Sequence, residues 1–109
     1  MSKSDNISHR EMVALTSIAY KVHNVALKHG WWDKERNLGE VLCLIHSEVS
    51  EALECLRNNG GTENFAEELA DILIRTLDLA AKLNINIGYA LLVKNEKNIS
   101  RPYKHGKEF

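Results

Sequence analysis

The stretch LGEVLCLIHSEVSEALECLRNNGGTENFAEELADILIRTLDL, residues 38–79, decides the fold of this chain. On both sides of its Asn-Asn-Gly-Gly sequence, the apolar residues recur at the three- and four-residue spacing of an amphipathic helix. The Asn-Asn-Gly-Gly sequence itself, residues 58–61, is a strong signal for a helix end and a turn. The stretch therefore predicts two helices that run antiparallel and are joined by a short turn.

Two further helices are predicted outside this hairpin, one before it that ends near Lys28 and one after it over residues 87–99. Pro102 bars the last helix from continuing, and the basic and aromatic tail, residues 101–109, is predicted to be extended. Three helix starts carry the pattern of a capping box, in which two polar side chains satisfy free backbone N–H groups. The three patterns are Ser8-x-x-Glu11, Asn37-x-x-Glu40 and Asn64-x-x-Glu67.

The chain shows no alternating, strand-like pattern, so an all-α fold of four helices is predicted. Its 109 residues correspond to a single domain, 1–109, in which residues 1–6 and 103–109 are expected to be flexible. A single layer of four helices leaves its central pair half covered. We therefore expect a four-helix, bundle-like fold that is completed by dimerisation.

The composition is that of an ordinary water-exposed globular domain, with 44% hydrophobic residues, 27% charged residues and a formal net charge of −1. There is no basic excess of the kind that a nucleic-acid surface requires. No apolar run approaches the roughly 20 residues that cross a bilayer. Because the first residues also lack the apolar segment of a signal peptide, we expect a cytoplasmic protein with neither nucleic acid nor membrane as its partner.

Two carboxylate pairs lie on the central hairpin, Glu48-x-x-Glu51 and Glu68-x-x-Asp71. On a helical wheel Glu48 falls inside the apolar arc of its helix and Glu51 at the margin of that arc. A carboxylate in an apolar arc costs several kcal/mol unless it is paired, protonated or bound to a metal ion. Glu48 is therefore the most informative residue of the sequence.

The two pairs are predicted to converge, because reflection of the hairpin about its turn brings all four acids within about one helical turn, roughly 5 Å. No basic partner for them is obvious in the sequence. An all-oxygen site of this kind suits Mg²⁺ or Mn²⁺. The alternative is that both pairs lie on solvated helix faces, as Glu54 and Glu67 are predicted to do. A di-iron site is disfavoured, because the Glu-x-x-His motif of such sites is missing.

Polar and aromatic residues elsewhere suggest a substrate for this site. Lys94, Asn98 and Arg101 are spaced to share one face of the fourth helix, where they would suit a polyphosphate. Alternatively, they form a solvated helix end whose cations the helix dipole favours. Trp31 and Trp32, both in the predicted loop before the hairpin, either stack on a nucleobase or cap the core.

Together these motifs resemble the MazG-like nucleoside triphosphate pyrophosphohydrolases, an all-α superfamily that includes dimeric dUTPases and phosphoribosyl-ATP pyrophosphatases. The resemblance rests on Glu-x-x-Glu, a spacer and Glu-x-x-Asp, followed by Lys-x-x-x-Asn-x-x-Arg-Pro at residues 94–102. It covers roughly residues 31–107. The Arg-Asn-Leu sequence before the acidic helix is also similar to small stand-alone members such as dCTP pyrophosphatases.

The resemblance implies Mg²⁺-dependent hydrolysis of a (deoxy)nucleoside triphosphate to the monophosphate and pyrophosphate, with Mn²⁺ as a substitute cation. It implies that one acid of the first pair also orients or deprotonates the attacking water, and that the protein is a homodimer or a homotetramer. The implied metal ligands are Glu48, Glu51, Glu68 and Asp71, the implied catalytic residues Glu48 and Glu51, and the implied substrate contacts Lys94, Asn98, Arg101, Trp31 and Trp32.

Two alternatives remain open at this point. The first is a narrower enzyme, selective for dUTP or dCTP or acting on phosphoribosyl-ATP. The second, from a different class, is a non-catalytic helical dimerisation module that retains the acids as a vestigial metal site.

Overall fold

The computed structural model describes residues 5–59 and 61–106, with side chains described for all of these except residues 61–63, 105 and 106. This part of the chain contains helices and no β-strand, which confirms the all-α prediction. The helices are α1 (His9–Lys28), α2 (Leu38–Arg57), α3 (Gly61–Lys82) and α4 (Ile87–Ile99), followed by a 3₁₀ turn at Tyr103–Gly106.

The helix starts follow the predicted caps in two of three cases. Ser8 Oγ accepts a hydrogen bond from the backbone N–H of Glu11 at 3.1 Å, and the Glu11 carboxylate accepts from the N–H of Ser8 at 2.9 Å, which confirms the first capping box. At the start of α2, Asn37 Oδ1 accepts from the N–H groups of Gly39 and Glu40.

The third capping motif was predicted wrongly, because α3 begins at Gly61, three residues before Asn64. An N-cap contributes only about 1 kcal/mol, which is too little to stop a helix from extending by most of a turn. The tail was also predicted wrongly as extended, since Tyr103–Gly106 forms a 3₁₀ turn. Pro102 ends α4 but does not prevent a new turn after it. The predicted flexibility of residues 1–4 and 107–109 falls outside the described residues.

The four helices lie in a row, in the spatial order α2, α3, α1, α4. The neighbours in this row pack side by side, α3 touches α4 only marginally, and no packing of α2 against α4 is found in the described residues. The row is therefore open, with α2 at one edge and α4 at the other. Within the described ranges, no helix is both long enough and apolar enough to span a bilayer.

A close helix crossing joins α1 to α4 at Gly88. A Cβ atom at this position would lie 2.0 Å from the backbone oxygen of Met12, so only glycine fits. Thr16 Oγ1 accepts a hydrogen bond from the Gly88 N–H at 3.0 Å and donates one to Asn86 Oδ1 at 2.8 Å. The same Asn86 oxygen caps α4 by accepting from the N–H of Tyr89. These bonds fix the register of α4 on α1.

The buried core is small and lies between α1 and α3, around Ala19, Leu77 and Ala81. Apolar side chains on α2 and α3 remain largely exposed, including Leu56 at 58% and Leu73 at 61%. Exposed apolar surface of this extent is typical of faces that bind other proteins.

Candidate functional site

A cavity of about 520 Å³ lies between the helices α1, α2 and α3 and the loop that joins α1 to α2. Its volume falls within the range of about 300–1,000 Å³ that is typical of small-molecule sites. Its lining includes apolar side chains, among them Val22, Val25 and Ile74, as well as charged and aromatic side chains. This is the mixture of surfaces that binding sites use.

Three of the four predicted metal ligands converge, and two of the three, Glu48 and Asp71, line this cavity. Glu48 on α2 and the pair Glu68 and Asp71 on α3 each place one carboxylate oxygen within 4.8 Å of the others. Glu48 is 8% exposed and the other two are half-buried. The convergence follows from the antiparallel packing of α2 on α3, and the burial of Glu48 from its position in the apolar arc. Glu54 and Glu67 are exposed, as predicted.

The fourth acid, Glu51, lies at the exposed edge of this cluster. Interaction with the neighbouring Glu48 carboxyl, through hydrogen bonding and through its charge, raises the pKa of Glu51 above its usual value. The charge of Glu68 raises this pKa further, and the Arg75 guanidinium partly opposes the rise. The raised pKa means that the cluster disfavours a further negative charge on Glu51. The negative charge of the cluster is therefore not fully neutralised by Arg75.

The acid cluster does have a basic partner, which the sequence analysis did not identify. Arg75 Nε donates to Glu48 Oε1 across the α2–α3 interface at 2.6 Å. Arg75 lies one helical turn after Asp71, on the same face of α3, so its position beside the acids was visible in the sequence. Its pairing with Glu48 depends on the direction of the side chain, which the sequence spacing does not specify.

Glu68 provides independent evidence that the acid cluster lacks a binding partner. Its Oε2 atom is buried and has no hydrogen-bond partner among the described residues. A carboxylate oxygen buried without a donor is costly, because it loses hydration and gains no replacement. A divalent cation held by Glu48, Glu68 and Asp71 would supply the missing partner, so the residues present fit a hard cation such as Mg²⁺.

The two tryptophans have different roles in the structure. Trp32 Nε1 donates to both carboxylate oxygens of Asp78 at 3.0 Å, and Asp78 Oδ1 also lies 2.6 Å from His23 Nδ1. Two cations lie near the Trp32 ring, with Arg36 Cζ at 5.1 Å and Lys82 Nζ at 5.5 Å from its centroid. This network attaches the loop to α1 and α3.

Trp31 is 55% exposed and lines the cavity, whereas Trp32 does not. The Arg75 guanidinium carbon lies 5.9 Å from the centre of the Trp31 ring. Trp31 is thus the tryptophan available to a ligand in the cavity, which Glu48 and Asp71 also line.

Sequence reasoning missed several residues of this region. His29 and Arg36 line the cavity, and His23 and Asp78 hold the loop beside it. The His29 ring lies with Nδ1 2.9 Å from the carbonyl oxygen of Val25, so Nδ1 is the protonated donor and Nε2 is left for a ligand. Arg36 lies four residues after Trp32 in the same loop, which was the available signal. His23 and Asp78 carried no such signal.

The predicted phosphate-binding group lies away from the acids. Lys94, Asn98 and Arg101 belong to α4 and the residues just after it, at the opposite edge of the helix row, and none of them lines the cavity. Lys94 and Arg101 are exposed, while Asn98 Oδ1 is buried without a hydrogen-bond partner among the described residues. The described chain therefore does not bring these residues together with the carboxylates.

In comparisons with known proteins, no protein-family model, no curated protein and no solved structure matches this chain. The function is therefore inferred from the residues and geometry of the site.

Proposed function

We propose that this protein is a Mg²⁺-dependent nucleoside triphosphate pyrophosphohydrolase of the MazG-like type, which releases a (deoxy)nucleoside monophosphate and pyrophosphate. The observation that carries the proposal is the convergence of Glu48, Glu68 and Asp71 oxygens within 4.8 Å of one another at a cavity lined by Trp31. An acid cluster beside an exposed aromatic ring suits a ligand that combines a metal-bound polyphosphate with a base.

In this proposal Glu48, Glu51, Glu68 and Asp71 hold the cation, and Mn²⁺ can replace Mg²⁺ because both favour carboxylate oxygens. When bound, the cation would neutralise phosphate charge and make a coordinated water more acidic. Glu51 is the better placed of the two proposed catalytic residues to orient or deprotonate the attacking water. Its carboxylate is exposed, whereas Glu48 is buried against Arg75.

The substrate would lie along the cavity, with its phosphates at the acid cluster and its base on the exposed Trp31 ring. Trp32 would support this arrangement indirectly, because its hydrogen bonds to Asp78 hold the loop. The lack of a basic excess, with a formal net charge of −1, and a cavity of this size favour a free nucleotide over a nucleic acid. Clearance of unwanted nucleotides from the cytoplasmic pool is the role that follows from this activity.

We further propose that the protein acts as a homodimer or a homotetramer. Exposed apolar residues on α2 and α3, among them Leu53, Leu56 and Leu73, support this assembly. A second copy packed on this face would also offer a way for Lys94, Asn98 and Arg101 to reach an acid cluster, which the open row of one chain does not provide. Sedimentation analysis should detect a dimer or a tetramer, and a monomer at micromolar concentration would contradict this part of the proposal.

One observation favours a different class of function. Arg75 already neutralises part of the acid cluster through Glu48, as expected if the acids were retained only for structure. The protein would then be a non-catalytic helical dimerisation module. The unpartnered Glu68 oxygen argues for the enzyme, because a purely structural cluster gains nothing from leaving it without a donor.

The decisive experiment incubates the purified protein with each common NTP and dNTP in the presence of Mg²⁺, of Mn²⁺ or of EDTA, and separates the products. We expect monophosphate and pyrophosphate with the metals and neither with EDTA. Cleavage of dUTP alone or of dCTP alone would select the narrower enzyme. Diphosphate and phosphate as products, or no cleavage with either metal, would reject the proposed reaction.

Variants of the acids provide a matched test. Glu48→Gln and Asp71→Asn should each lower kcat/KM at least about 100-fold, because each removes a charged ligand for the cation. Glu54→Gln on α2 and Glu67→Gln on α3 are the controls, since both side chains are exposed and lie outside the cluster. Circular dichroism should show the same helix content in all four variants. A Glu48→Gln variant with full activity would remove Glu48 from the site.

A further inference from the structure

Arg75 connects the two functional parts of the cavity. Its Nε atom binds Glu48 at 2.6 Å, and its guanidinium carbon lies 5.9 Å from the centre of the Trp31 ring. It therefore lies between the acid cluster and the aromatic ring, where the phosphates of a nucleotide would pass in the arrangement proposed above.

The guanidinium group has unused hydrogen-bonding capacity. In the described residues, only Nε of Arg75 donates a hydrogen bond, so the two terminal amino groups remain available. The side chain is 32% exposed, compared with 10% for its partner Glu48, and the guanidinium lies along the cavity wall. An arginine that pairs through Nε alone can rotate about its side-chain torsions while its backbone stays fixed in α3.

The other described cations near the cavity do not contact the acid cluster, although Arg36 also lines the cavity. Arg36 and Lys82 lie against the Trp32 ring, at 5.1 and 5.5 Å from its centroid. Lys94 and Arg101 lie outside the cavity altogether. Among the described residues, Arg75 is the cation that contacts the acid cluster.

We propose that Arg75 is a phosphate-binding residue, and that its ion pair with Glu48 keeps it from binding phosphate until a divalent cation binds. When the cation takes over the Glu48 carboxylate, the guanidinium leaves it and binds the phosphate oxygens of the nucleotide through its terminal amino groups. This inference rests on the proposed function. The exchange keeps every charge paired, because Glu48 gains the cation and Arg75 gains a phosphate. Guanidinium groups bind phosphate with two parallel hydrogen bonds, which makes Arg75 well suited to this second partner.

The movement can be observed without turnover, because Arg75 lies against Trp31 and the chain has only two tryptophans. Mg²⁺, which is optically silent, is titrated into the metal-free protein while tryptophan fluorescence is recorded and binding is measured by calorimetry. We expect a fluorescence change in the unmodified protein and its loss in both Trp31→Phe and Arg75→Gln, although both variants still bind Mg²⁺. A change of equal size in Arg75→Gln would overturn the proposal.

The phosphate contact is tested with inorganic tripolyphosphate as the probe, in the presence of saturating Mg²⁺. Arg75→Gln should weaken its binding about 10- to 100-fold, as expected for the loss of hydrogen bonds between charged groups. Arg75→Lys, which retains the charge without the planar group, should restore part of the affinity. The matched control is Arg57→Gln, because Arg57 is exposed and pairs only with Glu54 at 3.6 Å. Unchanged tripolyphosphate binding in Arg75→Gln would also overturn the proposal.

The two proposals fail in different ways. If the unmodified protein cleaves nucleotides but Arg75→Gln has an unaltered KM and unaltered fluorescence, the role of Arg75 is wrong and the enzymatic function stands. If the unmodified protein neither binds Mg²⁺ nor cleaves any nucleotide, both proposals fail. Arg75→Lys also covers the case in which Arg75→Gln does not fold, since it leaves a cation opposite Glu48.

Discussion

The α1–α4 crossing and the α2–α3 acid cluster are both polar regions, but they differ in whether their polar groups have hydrogen-bond partners. At the crossing, Thr16, Asn86 and the Gly88 backbone satisfy one another within 2.8–3.0 Å. In the cluster, carboxylates lie together, one pKa is raised, and a buried oxygen of Glu68 has no donor.

The difference teaches where to look for function. Satisfied polar groups at a close crossing fix the geometry of the fold, and any disturbance there costs stability. Unsatisfied charges of one sign cost stability as they stand, so their presence indicates a ligand that relieves them. Substitutions at the first kind of region should unfold the protein, whereas substitutions at the second should alter its response to cations.

The largest effect is expected where the crossing is broken. Gly88→Ala should lower the free energy of unfolding by about 3 kcal/mol or more, because the new Cβ overlaps the backbone of α1 and the two helices must separate. Urea denaturation provides the measurement. Gly39→Ala is the matched comparison, since its Cβ meets a side chain rather than backbone, Asn37 Oδ1 at 2.9 Å, and should cost no more than the cap that Asn37 gives α2, about 1 kcal/mol. Equal stability of Gly88→Ala and the unmodified protein would show that the helices do not pack this closely.

A smaller loss of stability is expected when the hydrogen-bond network around Asp78, beside the cavity, is weakened. Asp78→Asn should cost about 1–3 kcal/mol, because it removes the charged acceptor shared by His23 and Trp32 in a mostly buried position. The loop should loosen as well, which fluorescence quenching by acrylamide would reveal. Asp33→Asn, on the exposed surface of the same loop, should change neither measurement. Unchanged quenching in Asp78→Asn would mean that other contacts hold the loop.

The acid cluster should respond to cations in the opposite direction, by gaining stability. Mg²⁺ at ten times its dissociation constant should stabilise the protein by about 1.4 kcal/mol, as mass action requires for a ligand of the folded state. The melting temperature in Mg²⁺ and in EDTA measures this gain. Glu68→Gln should abolish most of the gain, while Glu67→Gln on the adjacent exposed position should retain it. A gain that persists in Glu68→Gln would place the cation elsewhere.

The smallest effect is a pH dependence of the metal-free protein. Because the pKa of Glu51 is raised in the folded state, the folded protein binds more protons than the unfolded chain above about pH 4.3, the usual glutamate value. The stability contributed by Glu51 is therefore complete below that pH and is lost as the pH rises through the raised pKa. Glu51→Gln should remove this loss and melt at a higher temperature than the unmodified protein at pH 7 in EDTA. At pH 4 the two should be nearly equal, and a lower melting temperature of the variant at pH 7 would contradict the sign.

The sequence specified the helices well, because the signals for them are local. The cap at Ser8 and the asparagine–glycine turn each involve a few neighbouring residues, and α1 begins and α2 ends where these signals placed them. The burial of Glu48 was also predictable, since it follows from the periodicity of one helix. The errors at the start of α3 and in the tail arose where the local sequence has only a weak preference for one backbone conformation.

The site was only partly predictable, because its decisive contacts join distant residues. Arg75 and Glu48 are 27 positions apart, Trp32 and Asp78 are 46 apart, and His23 and Asp78 are 55 apart. Such contacts depend on how whole helices face one another, and residue spacing within a helix carries no information on that. The convergence of the acids was the exception, because a short turn fixes how α2 faces α3.

The spatial order of the row also has a consequence for the path of folding. The neighbours α2 and α3 are adjacent in sequence, so their hairpin can form by local search with little loss of chain entropy. Helix α1 instead lies between α3 and α4, which both follow it in the chain. During synthesis α1 is therefore made before α3 and α4, the helices that it packs against. Until they are made, Ala19 and its apolar neighbours on α1 stay exposed. We expect pulsed hydrogen exchange to show protection of α2 and α3 before α1 and α4, so the helix made first of the four is not the first to become stable.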